Sequence, residues 1–181
     1  MNCYTRKGDL GTTSIFGEKL EKHDERISAI GDFDELNSFL GAAVSFSTNE
    51  SVKKILEEVQ NDLFTIGAEL ATVTDRAPSS NVKITAGHVE VLEVLIEKVD
   101  MQLPEQTKFI IPQGTRAAML INIARAVARR AERALVKVDR KTKLNPELLK
   151  YANRLSSLLY VLSRFENIRN NVTEKNPVYK K

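Results

Sequence analysis

The sequence predicts an all-α fold, an antiparallel bundle of five helices. Apolar residues recur at three- and four-residue spacing in five long segments, which is the pattern of helices that bury one face. No segment shows a convincing alternation of apolar and polar residues over the length of a strand. The chain has 181 residues and is 42% hydrophobic, which is enough for one sizeable core, so we expect a single domain over residues 1–181.

Charge and metal-binding residues limit the classes of function. The net charge is +3, from 27 basic and 24 acidic residues mixed along the chain, so bulk binding of nucleic acid is not expected. Cys3 is the only cysteine, and His23 and His88 are isolated, which argues against a disulfide or a zinc site. Because the sequence has no run of about 18 apolar residues and no signal-peptide pattern, we expect a cytoplasmic protein without a membrane partner.

Residues 1–26 lack a sustained period and contain the first candidate site. Gly8 and Gly11 allow main-chain N–H groups to approach an anion closely. Further donors lie around them, namely Arg6, Lys7, Thr12, Thr13, Ser14, Lys19 and Lys22. The segment lacks the Gly-Lys-Ser/Thr ending of a Walker A loop, and no βαβ pattern surrounds it. It is therefore either a phosphate-binding loop of another kind or an ordinary turn.

The first helix is predicted over 32–46, because Asp32 and Glu35 have the spacing of a capping box after Gly31. Asp34 lies on this helix in a polar stripe of small residues. Its carboxylate is either a favourable charge in the first turn or the partner of an arginine elsewhere in the protein.

Two further helices are predicted over 51–72 and 85–102, where apolar residues again recur at helical spacing. Residues 75–83 between them are rich in Pro, Ser and Asn and are typical of a loop. In the connection that follows, Phe109, Ile110 and Ile111 precede a Pro-Gln-Gly turn, and three consecutive apolar residues do not fit a helical period. They either plug the bundle, which is the default, or project into a hydrophobic ligand site.

The fourth helix, predicted over 115–138 with Thr115 as its N-cap, has an arginine stripe. Arg125, Arg129 and Arg133 are spaced i, i+4 and i+8, so three cations stand one above another on the polar side. Like charges at i,i+4 destabilise a helix by roughly 0.2–0.5 kcal/mol per pair, and Glu132 offsets only part of that. The stripe is either a solvated face or an anion site, because guanidinium groups match phosphate geometry and keep their charge.

The fifth helix is predicted over 145–170, where Asn-Pro-Glu supplies an N-cap, a first-turn proline and a first-turn acid. A polar stripe runs opposite its apolar side and consists of Asn153, Ser157, Tyr160 and Arg164. Residues 171–181 are expected to form a flexible tail. Because three of the five predicted helices have polar stripes, subunits that associate around a shared site are favoured over a monomer.

Three motifs give the chain a resemblance to a known family. They are Thr5-Arg6-x-Gly8-Asp9-x-Gly11-x-Thr13, Arg125-x-Val127-x-Arg129-Arg130-Ala131-Glu132-Arg133 and Asn153-Arg154-Leu155-Ser156. In this order, and joined by Asp34-Glu35-Leu36 and Phe109-Ile110-Ile111-Pro112, they are highly specific. From residue 4 to residue 165 the chain resembles the PduO-type ATP:cob(I)alamin adenosyltransferases.

The resemblance implies a reaction and an assembly. It implies a ferritin-like bundle that forms a homotrimer, with an active site at each subunit interface where the 5′-deoxyadenosyl group of ATP passes to cob(I)alamin. Residues 1–26 would form the ATP-binding loop. The residues implied in ATP binding are Thr5, Arg6, Gly8, Asp9, Gly11, Thr12, Thr13, Ser14, Lys22, Arg129, Arg130, Glu132, Arg133 and Asn153.

The resemblance also implies a corrinoid side of the site. Arg125 matches a family arginine that pairs with the aspartate matching Asp34 across the interface, and Phe109 matches the aromatic residue at the lower face of the corrin. Mg²⁺ would accompany ATP through its phosphates, without a dedicated metal motif. A corrinoid reductase and a B12-dependent acceptor enzyme are candidate partners.

Three positions depart from the family pattern. Gln113 and Lys7 stand where a small residue and a small hydroxyl residue are frequent, and Ala128 replaces a frequent cysteine. None of them removes an implied ligand. The alternative function, from a different class, is a non-catalytic bundle whose arginine helix binds a nucleotide or RNA. It predicts salt-dependent RNA binding without consumption of ATP.

Overall fold

A computed structural model describes residues 4–73 and 82–179. Within these ranges the chain forms five helices and one antiparallel hairpin. The elements are β1 (Thr12–Ile15), β2 (Glu18–Glu21), α1 (Glu25–Phe46), α2 (Glu50–Ala71), α3 (Ala86–Asp100), α4 (Arg116–Lys141) and α5 (Pro146–Arg169). The predicted five-helix fold is confirmed, and the hairpin is an element that the sequence patterns did not indicate.

The helices pack in an order different from their order in the chain. Helix α1 lies against α2 and α4, α4 packs on α5, and α5 packs on α3. Helix α5 is the most enclosed, since 14 of its 24 residues are buried and these include charged and polar side chains such as Arg164 and Asn167. Buried polar groups need partners, so this end of α5 organises the loops around it.

Helix α1 begins at Glu25, well before the predicted start at Asp32. Its N-cap is Asp24, whose carboxylate accepts a hydrogen bond from Arg26 N at 2.8 Å. The predicted capping box was wrong because Asp32 and Glu35 lie inside the helix, where both carboxylates contact Arg130 of α4. Ala29 is fully buried, so the first two turns belong to the packed helix.

The other helix boundaries agree with the predictions to within three residues. The Thr115 hydroxyl accepts a hydrogen bond from Ala118 N, and the Asn145 side chain accepts one from Glu147 N, so both predicted N-caps are confirmed. Cys3, most of the predicted loop at 75–83 and the last two residues lie outside the described ranges. Among the helices that are described, none combines the length and the apolar character needed to cross a membrane.

The hairpin turns at Phe16 and Gly17. Both residues have positive φ, 46° and 79°, as a two-residue type I′ turn requires. Thr13 lies opposite Leu20 and Ser14 opposite Lys19. Every residue of the two strands is exposed or half-buried, so no apolar alternation marks them in the sequence.

Residues 171–179, the described part of the predicted flexible tail, make contacts with the rest of the chain. Lys175 O accepts a hydrogen bond from Ile111 N at 2.8 Å, and Asn176 donates one to Phe109 O at 2.9 Å. Glu174 pairs with the buried guanidinium of Arg164, with Oε1 2.9 Å from Nε. A buried charge needs a counter-charge, so the ion pair attaches the described part of the tail to α5. The two hydrogen bonds attach it to the loop before α4.

Candidate active site

The N-terminal loop and the hairpin enclose a cavity of about 650 Å³. The described residues that line it are Thr5, Lys7, Gly8, Thr12, Thr13, Ser14, Lys19 and Lys22. Their side chains are hydroxyls and amines, and this described lining contains no carboxylate. The cavity is therefore suited to an anionic ligand. Lys7, one of the departures from the family pattern, adds a cation to it.

Hydrogen bonds in the loop give the cavity its shape. Gly11 has a φ of 82°, its carbonyl accepts from Lys22 N at 2.8 Å, and its N–H donates to Gly8 O. A Cβ at Gly8 would lie 3.2 Å from both Lys22 Nζ and Thr12 O, so this position favours glycine. Lys22 is thereby held beside the loop although it follows β2 in the chain.

Three predicted ligands of the loop are absent from this described lining, namely Gly11, whose contacts are given above, Arg6 and Asp9. Arg6 has a φ of 58°, and its guanidinium carbon lies 5.6 Å from the ring centroid of Tyr4. Asp9 is exposed, and its N–H donates to Arg6 O at 3.3 Å. In this structure both residues form the turn, whereas the cavity wall is formed by their neighbours.

The arginine stripe of α4 is accessible at Arg129 and Arg133, which are both exposed. Arg133 Nη1 donates to Arg129 O at 2.8 Å. Arg133 also lines a second cavity, of about 470 Å³, whose described lining mixes basic side chains with the carboxylates of Glu25 and Asp32. His23 of this lining directly follows Lys22, so the two cavities are neighbours along the chain.

Arg130 has a different environment from the other arginines. Its Nε lies 2.9 Å from Asp32 Oδ1, and its Nη2 contacts Glu35, so it links α4 to α1. The hydrogen bond that Arg130 donates to Asp32, followed by the charges of both carboxylates, raises the pKa of Arg130 above its usual value. Its position on α4 turns it toward α1, and the structure engages it there rather than presenting it to a ligand.

The second and third motifs meet where α4 packs on α5. Asn153 Nδ2 donates to Glu132 Oε1 at 2.9 Å, and Arg154 Nη1 donates to Asn153 Oδ1 at 2.7 Å. Arg154 in turn pairs with Glu93 of α3. Asn153 remains exposed, so its amide is fixed in orientation and still accessible.

Arg125 is half-buried and incompletely satisfied. Its Nε is buried and has no hydrogen-bond partner among residues 4–73 and 82–179, while its guanidinium carbon lies 5.8 Å from the ring centroid of Tyr160. Gln113, Asn167 and Glu174 line the same small cleft. A buried cationic donor without an acceptor is costly, so this group is suited to an acceptor from outside the chain.

Asp34 does not reach Arg125 within the part of the chain that the structure describes. It is exposed and lies in a groove of about 550 Å³ between α1 and α2. The groove is largely apolar, and Phe64, which lines it, is 71% exposed. Any pairing of Asp34 with Arg125 therefore needs a second copy of the chain.

Phe109 is not the plug that the sequence favoured, since its side chain is 77% exposed. Ile110, the next residue, is half-buried. The main chain on either side is held by Asn176 and Lys175 of the C-terminal segment. Sequence patterns missed these contacts because no local signal connects the tail to the loop.

The fold and the site together define a class, a helical bundle with a basic, hydroxyl-lined cavity suited to an anionic ligand. A family model described as cobalamin adenosyltransferase matches residues 3–166. A corrinoid adenosyltransferase of Bacillus subtilis is 36% identical over 176 residues, which cover 95% of this chain and 90% of that protein. The corrinoid adenosyltransferase PduO of Citrobacter freundii is 36% identical over 179 residues, and the chain spans about half of its length, 53%.

Solved structures agree with these sequence comparisons. A variant PduO-type ATP:corrinoid adenosyltransferase from Lactobacillus reuteri, complexed with cobalamin and ATP, superimposes with a TM-score of 0.89 at 35% identity. The match covers 97% of this chain and 96% of that one. The chain belongs to the cobalamin adenosyltransferase family, and the resemblance found in its three motifs is confirmed.

Proposed function

We propose that this chain is an ATP:corrinoid adenosyltransferase that transfers the 5′-deoxyadenosyl group of ATP to cob(I)alamin and releases triphosphate. Membership of the family supports this reaction. The observation that carries the proposal is the cavity lined by hydroxyls and lysines, with the exposed Arg129 and Arg133 on α4. Residues 1–181 form one adenosyltransferase domain in this proposal, with 1–26 as its ATP-binding segment.

The chemistry needs no nucleophile from the protein. The Co(I) centre of cob(I)alamin attacks C5′ of the ribose, so a Co–C bond forms as the C5′–O bond breaks. The electron pair of the broken bond leaves with triphosphate, and cobalt is formally oxidised to Co(III). The protein then has two tasks: it holds the reactants in line, and it stabilises the charge that develops on the leaving group.

The leaving group is assigned to the basic side of the site. The cavity side chains and Lys22 surround the triphosphate, Arg129 and Arg133 neutralise its charge, and Asn153 reaches the nucleotide. Mg²⁺ enters bound to the phosphates of ATP. The remaining predicted ligands act by shaping these elements, namely Arg6, Asp9 and Gly11 in the loop, and Arg130 and Glu132 on α4.

The corrinoid side is assigned to an interface in a homotrimer. Three observations support a pairing of Asp34 with Arg125 of an adjacent copy: the buried Arg125 Nε, which lacks an acceptor in the described part of the chain, the exposed Asp34, and the apolar groove beside it. The exposed Phe109 is an apolar wedge for the lower face of the corrin. By excluding an axial base and water it makes Co(II) easier to reduce.

The surroundings of the reaction are proposed from the same function. The enzyme acts in the cytoplasm, where a corrinoid reductase supplies Co(I) and a B12-dependent enzyme accepts the product. The chemistry of the reaction does not determine where these two proteins bind, so none of the site residues named above is assigned to them.

One assay tests the reaction. Protein, ATP, Mg²⁺ and chemically reduced cobalamin should yield triphosphate and adenosylcobalamin in equal amounts, measured by ion chromatography and by the absorbance of the Co–C bond. Folded protein that forms neither product contradicts the proposal. The alternative function, a non-catalytic bundle that binds a nucleotide or RNA, predicts salt-sensitive RNA binding and intact ATP in the same samples.

The substitution Arg129→Ala tests the role of the arginine stripe. We expect turnover to fall by about 10²–10³-fold, as when one donor to a developing anion is removed, while helicity is unchanged. The matched control is Arg140→Ala, since Arg140 is also an exposed arginine of α4 but lies outside the predicted site. Wild-type turnover in Arg129→Ala would remove this residue from the site.

A further inference from the structure

The hairpin that lines the proposed ATP cavity is weakly packed against the helices. Its strands pack mainly on each other, and all of their residues are exposed or half-buried. A two-stranded hairpin is marginally stable without packing against other elements. The place of the hairpin on the bundle therefore depends on a few directional contacts.

Arg26 makes the contacts that attach the hairpin. It lies in the first turn of α1 and is only 8% exposed, although it is charged. Its Nη2 donates to Glu18 Oε2 of β2 at 2.5 Å, and its Nη1 donates to the carbonyl of Val73, just after α2. One guanidinium thus joins the hairpin, α1 and the end of α2.

The geometry of the hairpin transmits this contact to the ATP cavity. Glu18 is the first residue of β2, and the next residue, Lys19, lies opposite Ser14 in the strand pairing. Both Lys19 and Ser14 line the cavity. A shift of Glu18 would move these two side chains, whereas Arg26 itself is absent from the described lining.

There is room for the hairpin to move if the contact is lost. A cleft of about 210 Å³ separates it from the helices, and its lining includes Leu20, Val73 and Arg26. An arginine suits this place because its planar group donates to two acceptors in different directions. A lysine keeps the charge but lacks this geometry.

We propose that Arg26 is a positioning residue for ATP binding. Arg26 holds the hairpin in the place where the hydroxyls and lysines of the hairpin cavity face the triphosphate. The proposal rests on the proposed function, because it assigns the hairpin cavity to ATP. Arg26 acts through Glu18 and contacts no substrate. Loss of the Arg26 side chain should raise the KM for ATP without changing the affinity for the corrinoid.

The test compares Arg26→Met, Glu18→Gln and the double variant. We expect the KM for ATP to rise about 10-fold in Arg26→Met, because the charge-assisted hydrogen bond that fixes Glu18 is lost, while the KM for the corrinoid stays at the wild-type value. The double variant should lose less than the sum of the two single variants, because both changes break the contact between Arg26 and Glu18. Arg26→Lys should recover part of the loss. If Arg26→Met does not fold, Glu18→Gln decides the question.

The control is Lys150→Met, which removes the ion pair of Lys150 with Glu147 in α5, two residues that are absent from the described linings of the cleft and of the ATP cavity. It should leave the KM for ATP unchanged. An unchanged KM for ATP in Arg26→Met and Glu18→Gln overturns the proposal, and so does an equal loss for both substrates, which indicates general destabilisation.

Calorimetric titration with ATP separates this proposal from the proposed function. If the wild type binds ATP but releases no triphosphate, the proposed function fails, and the change in Kd for ATP in Arg26→Met still decides the role of Arg26. If the wild type binds no ATP, both proposals fail.

Discussion

Replacement of Gly114 by alanine tests how the loop that carries Phe109 is fixed to the bundle. Gly114 has a φ of 139°, and a Cβ there would lie 2.0 Å from Asn167 Oδ1. Asn167 is buried; it accepts a hydrogen bond from Thr115 N at 3.0 Å and donates one to Gln113 O at 2.9 Å. The new methyl group must displace the amide, so both hydrogen bonds are lost.

The magnitude follows from these contacts. Each lost hydrogen bond destabilises the fold by about 1 kcal/mol, and the strained backbone adds about 1–3 kcal/mol. The free energy of unfolding of Gly114→Ala should therefore fall by about 3–5 kcal/mol. At about 2–4 °C per kcal/mol for a chain of this size, Tm should fall by roughly 6–20 °C.

Thermal unfolding followed by circular dichroism measures this effect against a matched control. Gly87→Ala places a methyl group no closer than 3.7 Å to Thr85 Oγ1, so its unfolding free energy should stay within about 1 kcal/mol of the wild type. Because Gly114→Ala and Asn167→Ala break the same hydrogen bonds, the double variant should lose less than the sum. Equal Tm values for the two alanine-for-glycine variants would refute the reasoning.

Three other features of the structure have measurable consequences: the buried Tyr151, the ion pair of Glu174 with Arg164, and the exposed Phe64 in the apolar groove. Burial, with the charge of Asp62 and the hydrogen bond to it, raises the pKa of Tyr151 well above its usual range. The stabilisation by Tyr151 should therefore be fully present below about pH 10 and be lost as pH rises further. In Tyr151→Phe the free energy of unfolding, measured by urea unfolding at each pH, should depend less on pH in this range. Glu174→Ala should leave the buried Arg164 without its carboxylate partner, although its hydrogen bond to Pro104 O remains. The free energy of unfolding should fall by about 3–5 kcal/mol and proteolysis of the C-terminal segment should become faster; unchanged cleavage would contradict this. Phe64→Glu should convert the proposed trimer to folded monomers in light scattering, and a persistent trimer would exclude the groove as the interface.

The helices were predictable because their signals are local. The capping sequences at Thr115 and Asn145 and the apolar period of α4 and α5 depend on residues a few positions apart. The hairpin has no such signal, since its strands have four residues each and bury no apolar face. The early start of α1 was missed because Asp32 and Glu35 have the spacing of a cap, whereas their carboxylates bind an arginine almost one hundred positions away.

The same distinction applies to the site. Glycines, hydroxyls and lysines within one short segment made an anion-binding loop one of two interpretations, and the spacing of Arg125, Arg129 and Arg133 predicted their common face. The contacts that place these groups are long-range. Arg26 meets Val73 across 47 positions, and Asn176 meets Phe109 across 67 positions. Pairings of this kind follow from packing, and a single sequence does not encode them as a pattern.

Helix α4 joins the two halves of the proposed site in one rigid body. Arg133 lines the second cavity, which His23 and Lys137 also line, and Arg125 lines the cleft beside the Phe109 loop. Eight residues of α-helix separate them by about 12 Å along the axis. One inserted residue between them would rotate everything beyond it by about 100° and turn one of the two arginines away from its cavity. Insertions and deletions are therefore expected to disrupt the site in this stretch of α4, whereas single substitutions are tolerated at its exposed positions outside the proposed site.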